Sequence, residues 1–590
     1  MCGICGEVRF DEKSASINNV QIMADRLAPR GPDSSGIFAR DRIAFGHRRL
    51  KVIDLSDNAS QPMTDPKLGL TLVFNGCIYN YKELRAELIK KGYSFFSAGD
   101  SEVIIKAYHA WGSSCVKRFQ GMFAFAIWEM TTGRVVLARD RLGIKPLYLN
   151  KNNKSLRFAS SLPALIALDG VDKSLNPIAL HHYMSFHAVV PAPHTIINGV
   201  EKLPPATITT FEPDGSRHDS IYWNLSFDPI AGDEKKTEPQ WRDEILEALR
   251  LAVKRRLVAD VPVGVLLSGG LDSSLIVGLL AEAGQTGINT FAVGFESVGG
   301  EAGNEFSYSD LIADYFSTSH HKITVPTHEL ISTLPDVISS MSEPMVSHDN
   351  IGFYLLSKAV SKHVKVVQSG QGADEIFAGY HWYPPLAQST DPVGDYARVF
   401  CDRNHEEMST LLQPQWISDD FSRDFIASNF AIPGASGGIP KALRMDTTVM
   451  LVDDPVKRVD NMTMAWGLEA RVPFLDHELV ELAARTPSSL KITQDGKGIL
   501  KDAARSIIPH EVIDRPKGYF PVPALKYLKG EVLEHVRDTL SSQAAQQRNL
   551  FKQDAINNFI ADPSAHITPL RGSKLWQVAL LELWLQQHKL

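Results

Sequence analysis

The 590-residue chain has only five cysteines: Cys2, Cys5, Cys77, Cys115 and Cys401. Their odd number and scattered spacing exclude a disulfide scaffold and make a reducing cytoplasm the expected compartment. No apolar run is long enough to span a bilayer, so no membrane association is expected. The start, Met1-Cys2-Gly3-Ile4-Cys5-Gly6-Glu7, lacks the basic-then-apolar order of a secretory signal. Charge of one sign is also scarce. Against 61 Lys and Arg stand 68 Asp and Glu, a formal net of -7. That balance argues against a general nucleic-acid or anionic-membrane binder. Internal repeats and low-complexity tracts are missing. With 44% hydrophobic and 22% charged residues, the composition is that of a globular protein of two to four domains, not a disordered or fibrous one.

What is present divides into two parts. Residues 1–225 read mainly as strands with a few helices. Phe123, Phe125 and Ile127 alternate with Ala124, Ala126 and Trp128, which predicts a strand buried on both faces. Thr131-Thr132-Gly133-Arg134 is its turn, and Val135 to Ala138 the return strand. Leu70 to Phe74 reads as a strand that ends in a turn at Asn75-Gly76, and Tyr81 to Gly92 as a helix closed by its glycine. Residues 226–240 are charged and read as a linker. In 241–590, strands at Val263–Leu267, Thr290–Phe295 and Val364–Gln368 alternate with helices, which predicts an α/β domain with a parallel sheet. From about residue 440 the pattern is largely helical, and Lys574 to Leu590 reads as a buried helix.

The strongest motif is Leu266-Leu267-Ser268-Gly269-Gly270-Leu271-Asp272-Ser273-Ser274. A buried strand runs into a Ser-Gly-Gly turn and then a helix. Glycines let backbone N–H groups approach an anion, and the helix N-terminus holds phosphate oxygens. Ser268, Ser273 and Ser274 add hydroxyl donors. Asp272 would repel a bare phosphate, so its presence implies a bridging Mg²⁺. A second turn, Ser369-Gly370-Gln371-Gly372-Ala373-Asp374-Glu375, also follows a strand, and Asp374 is the natural second metal ligand. No Gly-Lys-Ser/Thr follows the first loop, so it is not a Walker A loop. It is similar to the pyrophosphate loop of ATP pyrophosphatases, which cleave ATP between the α and β phosphates.

The other end of the chain offers a nucleophile. With Met1 removed, Cys2 carries its own base, because an α-amine of pKa roughly 7.7–8.0 can take a thiol proton near neutral pH. Arg49 suits a substrate carboxylate, the Asn75 side chain and Gly76 N–H suit an oxyanion hole, and Asp100 suits an ammonium group. Cys2-Gly3-Ile4-Cys5 is also a C-x-x-C, open to redox or metal chemistry. However, residues 4–10 look like a strand, not the helix that usually follows a redox pair, and no second Cys/His pair stands at zinc spacing. Gly434-Ala435-Ser436-Gly437-Gly438 matches the hydrolase nucleophile elbow, yet Pro433 and Pro440 flank it and predict a loop.

Met1-Cys2-Gly3-Ile4, Arg30-Gly31-Pro32-Asp33, His47-Arg48-Arg49-Leu50, Asn75-Gly76, Gly121-Met122-Phe123-Ala124-Phe125 and Arg139-Asp140-Arg141-Leu142-Gly143 resemble the class II glutaminase domain. With Ser268–Ser274 and Leu468-Glu469-Ala470-Arg471-Val472-Pro473-Phe474-Leu475-Asp476, the whole chain resembles the glutamine-hydrolysing asparagine synthetases. The resemblance implies an N-terminal αββα sandwich of the N-terminal-nucleophile type and a C-terminal α/β ATP-pyrophosphatase domain with a helical end. It implies glutamine hydrolysis at Cys2 and internal passage of ammonia. ATP and Mg²⁺ would convert a small acceptor carboxylate to an acyl-adenylate, which ammonia attacks. By matched position, Arg49, Leu50, Val52, Asn75, Gly76, Cys77 and Asp100 hold glutamine. Leu266, Ser268, Gly269, Gly270, Asp272, Ser273, Ser274, Val293, Ser369 and Gly370 hold ATP, and Asp272 and Asp374 the metal. Lys517 matches a lysine that stabilises the adenylation and amidation transition states. A homodimer is compatible with the resemblance, and neither nucleic acid nor membrane is an expected partner.

Two positions depart from the family pattern. Cys77 replaces the glutamate of Asn-Gly-Glu, removing an acid that would face glutamine's ammonium. Gln371 replaces the glutamate of Ser-Gly-Glu-Gly, and a neutral amide cannot be a general base. Glu343 and Glu375 are the candidates to replace it. With Phe158–Leu165 and His181-His182-Tyr183-Met184-Ser185-Phe186-His187, these changes are most similar to N-acetylglutaminylglutamine amide synthetases. That acceptor is the expectation, and L-aspartate the alternative. A degenerate member acting only as an interaction protein would be expected to have lost Cys2, Asp272 or Asp374, and all three are present.

Overall fold

The computed structural model describes residues 2–296, 303–516 and 528–590. Twelve strands build the first domain. They are β1 (Gly3–Arg9), β2 (Ser34–Arg40), β3 (Ile43–Arg49), β4 (Met63–Asp65), β5 (Leu70–Ile78), β6 (Gly121–Glu129), β7 (Val135–Arg139), β8 (Tyr148–Lys151), β9 (Ser155–Ala159), β10 (Glu201–Lys202), β11 (Thr207–Phe211) and β12 (Arg217–Ile221). They form two antiparallel sheets, ordered β10-β8-β9-β1-β3-β2 and β12-β11-β7-β6-β5-β4. The sheets face each other through Ile4, Phe45 and Phe158 on one side and Val73, Ala124 and Leu137 on the other. The helix Ile17–Arg26 covers the first sheet, with Val20 and Met23 packed beside Cys5. Helices Tyr81–Lys90 and Asp100–Trp111 cover the second. This is the αββα sandwich.

The double burial of β6 now has a physical reason. Phe123, Phe125 and Ile127 meet the covering helices, while Ala124, Ala126 and Trp128 meet the opposite sheet. One expectation fails. Asn75-Gly76 is not a turn: β5 continues through it to Ile78, with Asn75 paired to Ala124 and Gly76 to Phe123. Tertiary pairing overrides local turn propensity here. Gly76 has φ +152°, and a Cβ there would lie 2.1 Å from the Met122 carbonyl oxygen.

The second domain is built on a parallel sheet of β13 (Val263–Leu266), β14 (Asn289–Phe295), β15 (Ser319–Val325), β16 (Val366–Gln368) and β17 (Glu469–Arg471), ordered β15-β14-β13-β16-β17. β17 lies in the region read as helical; three residues are too few to show a period. The chain leaves β13 and β16 in opposite directions across the sheet, so a crevice opens beyond their carboxyl ends, where open α/β sheets bind ligands. The helix Lys574–Gln587 is buried almost all round. Residues 226–240 are not a free tether: Asp233 is buried and paired with Arg485 at 2.8 Å.

The domains meet across a buried charge cluster. Asp460 of the second domain contacts Arg30 at 2.9 Å and Lys145 at 3.3 Å, both from the first. Burial alone would push the Asp460 carboxyl up, but Arg30 and Lys145 outweigh it and hold it below the usual range. Asp460→Ala would leave two buried cations without their counter-ion. It should destabilise the protein by about 3–5 kcal/mol, read as an earlier urea unfolding midpoint. An unchanged midpoint would show that the cluster does not hold the domains together.

Candidate active sites

The first site lies at the amino end of β1. Cys2 and Cys5 are three residues apart in an extended chain, so they point to opposite faces. Cys5 packs under the helix Ile17–Arg26, its thiol 3.6 Å from the Val20 carbonyl. Cys2 faces a pocket lined by Arg49, Leu50, Val52, Gln61, Gly76, Cys77, Asp100, Glu469 and Arg471. The C-x-x-C is therefore not a redox or metal pair. The Cys2 backbone N–H donates to Asn75 Oδ1 at 3.0 Å. Asn75 is fully buried, and its Nδ2 has no hydrogen-bond partner among the described residues. A buried donor left unmatched costs stability, which makes it the orphan in this site that asks for an acceptor.

The electrostatics of the pocket are mixed. Burial pushes the Cys2 thiol up, with the positive amino terminus, the Leu50 backbone N–H and Arg49 pulling against it. The resting thiol is therefore protonated and needs a base. The Arg49 guanidinium is held by the carbonyls of Ser56, at 2.8 Å, and Asp54. Burial raises Asp100 to about 6, although it accepts the Ile78 N–H at 3.0 Å. Burial would also raise Glu469, but positive charge beside it, Arg471 included, outweighs this and holds it low.

Two of these wall residues were not assigned a role from sequence. Glu469 and Arg471 come from β17 of the other domain, paired at 2.6 Å. Arg471 Nη2 also reaches Cys77 Sγ at 3.8 Å, so a second-domain cation occupies the surroundings of the departed glutamate. The motif Leu468–Asp476 was visible, but nothing in its spacing shows that it reaches across to the first domain.

The second site is a cleft of about 790 Å³ beyond β13 and β16. Leu266, Ser268, Gly270, Asp272, Ser273, Val293, Ser369, Gly370, Gln371, Asp374 and Glu375 line it together. Ser268 Oγ lies 3.2 Å from Ser273 Oγ and accepts the Gly270 N–H at 3.3 Å, which folds the loop onto the start of the helix Leu271–Glu282. Gly269, at φ +73°, backs onto Tyr308 and Ser309, where a Cβ would lie 2.6 Å from a backbone nitrogen. Its place is in the turn and not in the cleft wall. Ser274 also departs from expectation: it is fully buried outside the cleft lining, because the helical turn points it into the core. Lys517 lies outside the described residues.

Asp272 and Asp374 are brought together by Lys497, whose ammonium contacts them at 2.7 and 2.9 Å. Two carboxylates that share one cation are a donor set fit for Mg²⁺, a hard ion that favours oxygen ligands. Lys497 sits in Asp495-Gly496-Lys497-Gly498 at φ +56°, a left-handed conformation rare for a side-chain-bearing residue. The run of turn residues was the available sequence signal. Glu375, 2% exposed, accepts from Tyr380 at 2.7 Å, and burial with neighbouring Asp374 pushes its carboxyl up. Glu343 does not line the cleft. It faces Lys202 at 3.1 Å and Lys457 at 3.6 Å in a buried cluster, which removes it as a candidate base.

The asparagine synthase family model matches residues 244–586, and that of the glutamine amidotransferase domain residues 1–223. Asparagine synthetase [glutamine-hydrolyzing] 1 of Bacillus subtilis is 31% identical, covering 99% of this chain and 96% of its own. Asparagine synthetase B [glutamine-hydrolyzing] of Escherichia coli K12 is 28% identical, covering 88% and 82%. Amidase chry2 of Gibberella zeae is 26% identical over 89% of each. Fold and sites thus define a two-domain glutamine amidotransferase, a carbon–nitrogen ligase that takes its nitrogen from glutamine. The chain belongs to the glutamine-hydrolysing asparagine synthetase family.

If Asp272 and Asp374 hold Mg²⁺, Asp272→Asn and Asp374→Asn should each abolish AMP and pyrophosphate formation. Basal glutamine hydrolysis should persist in both. Formation of ADP and phosphate by the wild type would overturn the adenylating role of this cleft.

Proposed function

We propose that the chain amidates the terminal carboxylate of N-acetylglutaminylglutamine, with glutamine as nitrogen donor and ATP split into AMP and pyrophosphate. The observation that supports this acceptor is neutral Gln371 in the cleft wall, next to Gly370. A long acylated dipeptide brings no free ammonium, so its pocket needs no acid there. The cleft volume of about 790 Å³ stands near the top of the roughly 300–1,000 Å³ usual for a small-molecule site, which suits a nucleotide beside an extended acceptor. L-aspartate, the acceptor implied by the names of the Bacillus and Escherichia relatives, is the second reading. The five free cysteines fit a cytoplasmic location.

In this reading, Cys2 with Met1 removed gives its thiol proton to its own α-amine and attacks the glutamine side-chain carbonyl. Asn75 Nδ2 and the Gly76 N–H stabilise the oxyanion. Arg49 takes the glutamine carboxylate, and Asp100 and Glu469 face its ammonium. Ammonia leaves, and water releases glutamate from the sulfur. In the cleft, an acceptor carboxylate oxygen attacks the α-phosphorus and pyrophosphate departs. Ammonia then attacks the acyl carbon and displaces AMP, with Glu375 accepting the surplus proton in place of Gln371. Ser268, Gly270 and Ser273 hold phosphate oxygens. Mg²⁺ bound by Asp272 and Asp374 would screen the charge of the departing pyrophosphate. Lys517 is assigned to the same charge. Between the sites, Met122, Leu142 and Ile144 pack in one apolar cluster with Leu451, Met464 and Val472, an environment that favours neutral ammonia over ions.

Three measurements test this. Cys2→Ala should abolish glutamine-driven amide formation and keep synthesis from added ammonia; loss of both in a folded variant counts against separate sites. Glu375→Gln should lower ammonia-dependent synthesis by about 10²-fold or more while pyrophosphate exchange continues. N-acetylglutaminylglutamine should exceed L-aspartate in kcat/KM for AMP formation by at least about tenfold, or about 1.4 kcal/mol. Equal or better turnover of aspartate would remove the dipeptide and leave an asparagine synthetase with an unusual base.

A further inference from the structure

A cluster far along the chain from both sites has no part in the chemistry above. His181 lies in the helix Pro177–Ser185 at the end of the first domain. His405 begins the helix His405–Leu411, and Asp420 caps the helix Phe421–Ala431, both in the second. His181 Nε2 stands 3.3 Å from His405 Nδ1 and 3.8 Å from Asp420 Oδ1. One ligand atom from each of the three residues lies within 4.8 Å of the others, the only such His/Cys/Asp/Glu group among the described residues.

We propose that His181, His405 and Asp420 form a zinc-type divalent-cation site that pins the two domains together. Zinc–nitrogen bonds of roughly 2.0–2.1 Å in a tetrahedron put neighbouring ligand atoms about 3.3–3.4 Å apart. The histidine pair already has this spacing, and the carboxylate needs only a small rotation. Ligating histidines have their other ring nitrogen held by a partner, which sets the tautomer. Ser422 Oγ does this for His181, at 3.1 Å from Nδ1, and also stands 3.0 Å from His182 Nδ1. In the tautomer a metal requires, His181 Nδ1–H donates to Ser422 Oγ, the hydroxyl donates to His182 Nδ1, and His181 Nε2 keeps a lone pair facing the gap. Asp420 Oδ1 also accepts the Arg423 N–H at 3.2 Å, so it is fixed at its helix start. Asp420 is about a third exposed, leaving a fourth position for water. Three protein ligands and one water make a site of intermediate affinity whose occupancy follows the available metal.

The test uses the full-length protein, stripped with a chelator and titrated with Co²⁺ under excess Mg²⁺. Wild type should take up one tetrahedral Co²⁺ with visible absorption, and His405→Gln should lose that band. Asp420→Asn keeps a helix-capping side chain and should weaken binding about tenfold or more. Zn²⁺ should raise the melting temperature of wild type but not of His405→Gln. Identical cobalt spectra and identical Zn²⁺ response in wild type and His405→Gln would overturn the site and leave a hydrogen-bonded histidine pair only. If His405→Gln does not fold, the comparison of Asp420→Asn with wild type decides by the same readouts.

Discussion

Arg471 is the residue through which the two halves of this protein constrain each other. Fully buried on the edge strand β17, its guanidinium is neutralised by Glu469 at 2.6 Å. It also donates to the carbonyls of Arg256 and Val258, at 2.9 and 2.8 Å, and reaches Cys77 Sγ in the first domain. Its own carbonyl accepts the N–H of Ser369 at 2.9 Å, and Ser369 begins the second loop of the nucleotide cleft. One short segment therefore forms part of the wall of the glutamine pocket and fixes a phosphate-side loop. A buried cation so fully hydrogen-bonded is costly to disturb, so neither domain can shift against the other here without breaking it.

The same constraint continues through Asp460, which ties Arg30 and Lys145 to the second domain. Arg30 in turn donates to the Cys2 carbonyl at 3.4 Å. Charges from both domains thus surround the start of β1, and the apolar cluster of Met122, Leu142 and Ile144 with Val472 and Phe474 lies alongside. Polar groups set the geometry, and the apolar side chains pack beside them. In the proposed reading, where ammonia passes from one site to the other, such apolar walls favour the neutral molecule over ammonium.

Much of this was legible in the sequence because the chemistry is local. The run Ser268–Ser274 contains its own turn, helix start and acid, and residues this close are placed by backbone geometry alone. The covered strand β6 was legible from alternation, and Cys2 from its position. What escaped was set by long-range pairing. Asn75-Gly76 has the look of a turn, but ladder bonds to Phe123 and Ala124 draw it into β5. Ser274 has the right type beside Ser273, yet helical rotation carries it into the core. Lys497 reaches Asp272 from 225 residues away, and β17 is too short to show a period. These are contacts whose partners lie in other elements, where no spacing rule applies.

The substitution at Cys77 shows how such a contact alters a pocket without changing its fold. A thiol pushed up by burial stays neutral, so it gives Arg471 a weak acceptor and no counter-charge. The positive charge is then matched by Glu469, paired with Arg471 at 2.6 Å. Among the described pocket residues, Asp100 is the other acid, and burial leaves it near 6. In the proposed reading, glutamine's ammonium meets one acid already paired with Arg471 and one that burial has raised. Ammonium binding would favour the ionised form of Asp100, so part of its attraction would go into releasing that proton. A glutamate at position 77 would have taken a share of Arg471 and freed Glu469 to meet the ligand. The cysteine makes the glutamine pocket depend on the other domain's ion pair to a degree that the first domain's own residues do not reveal.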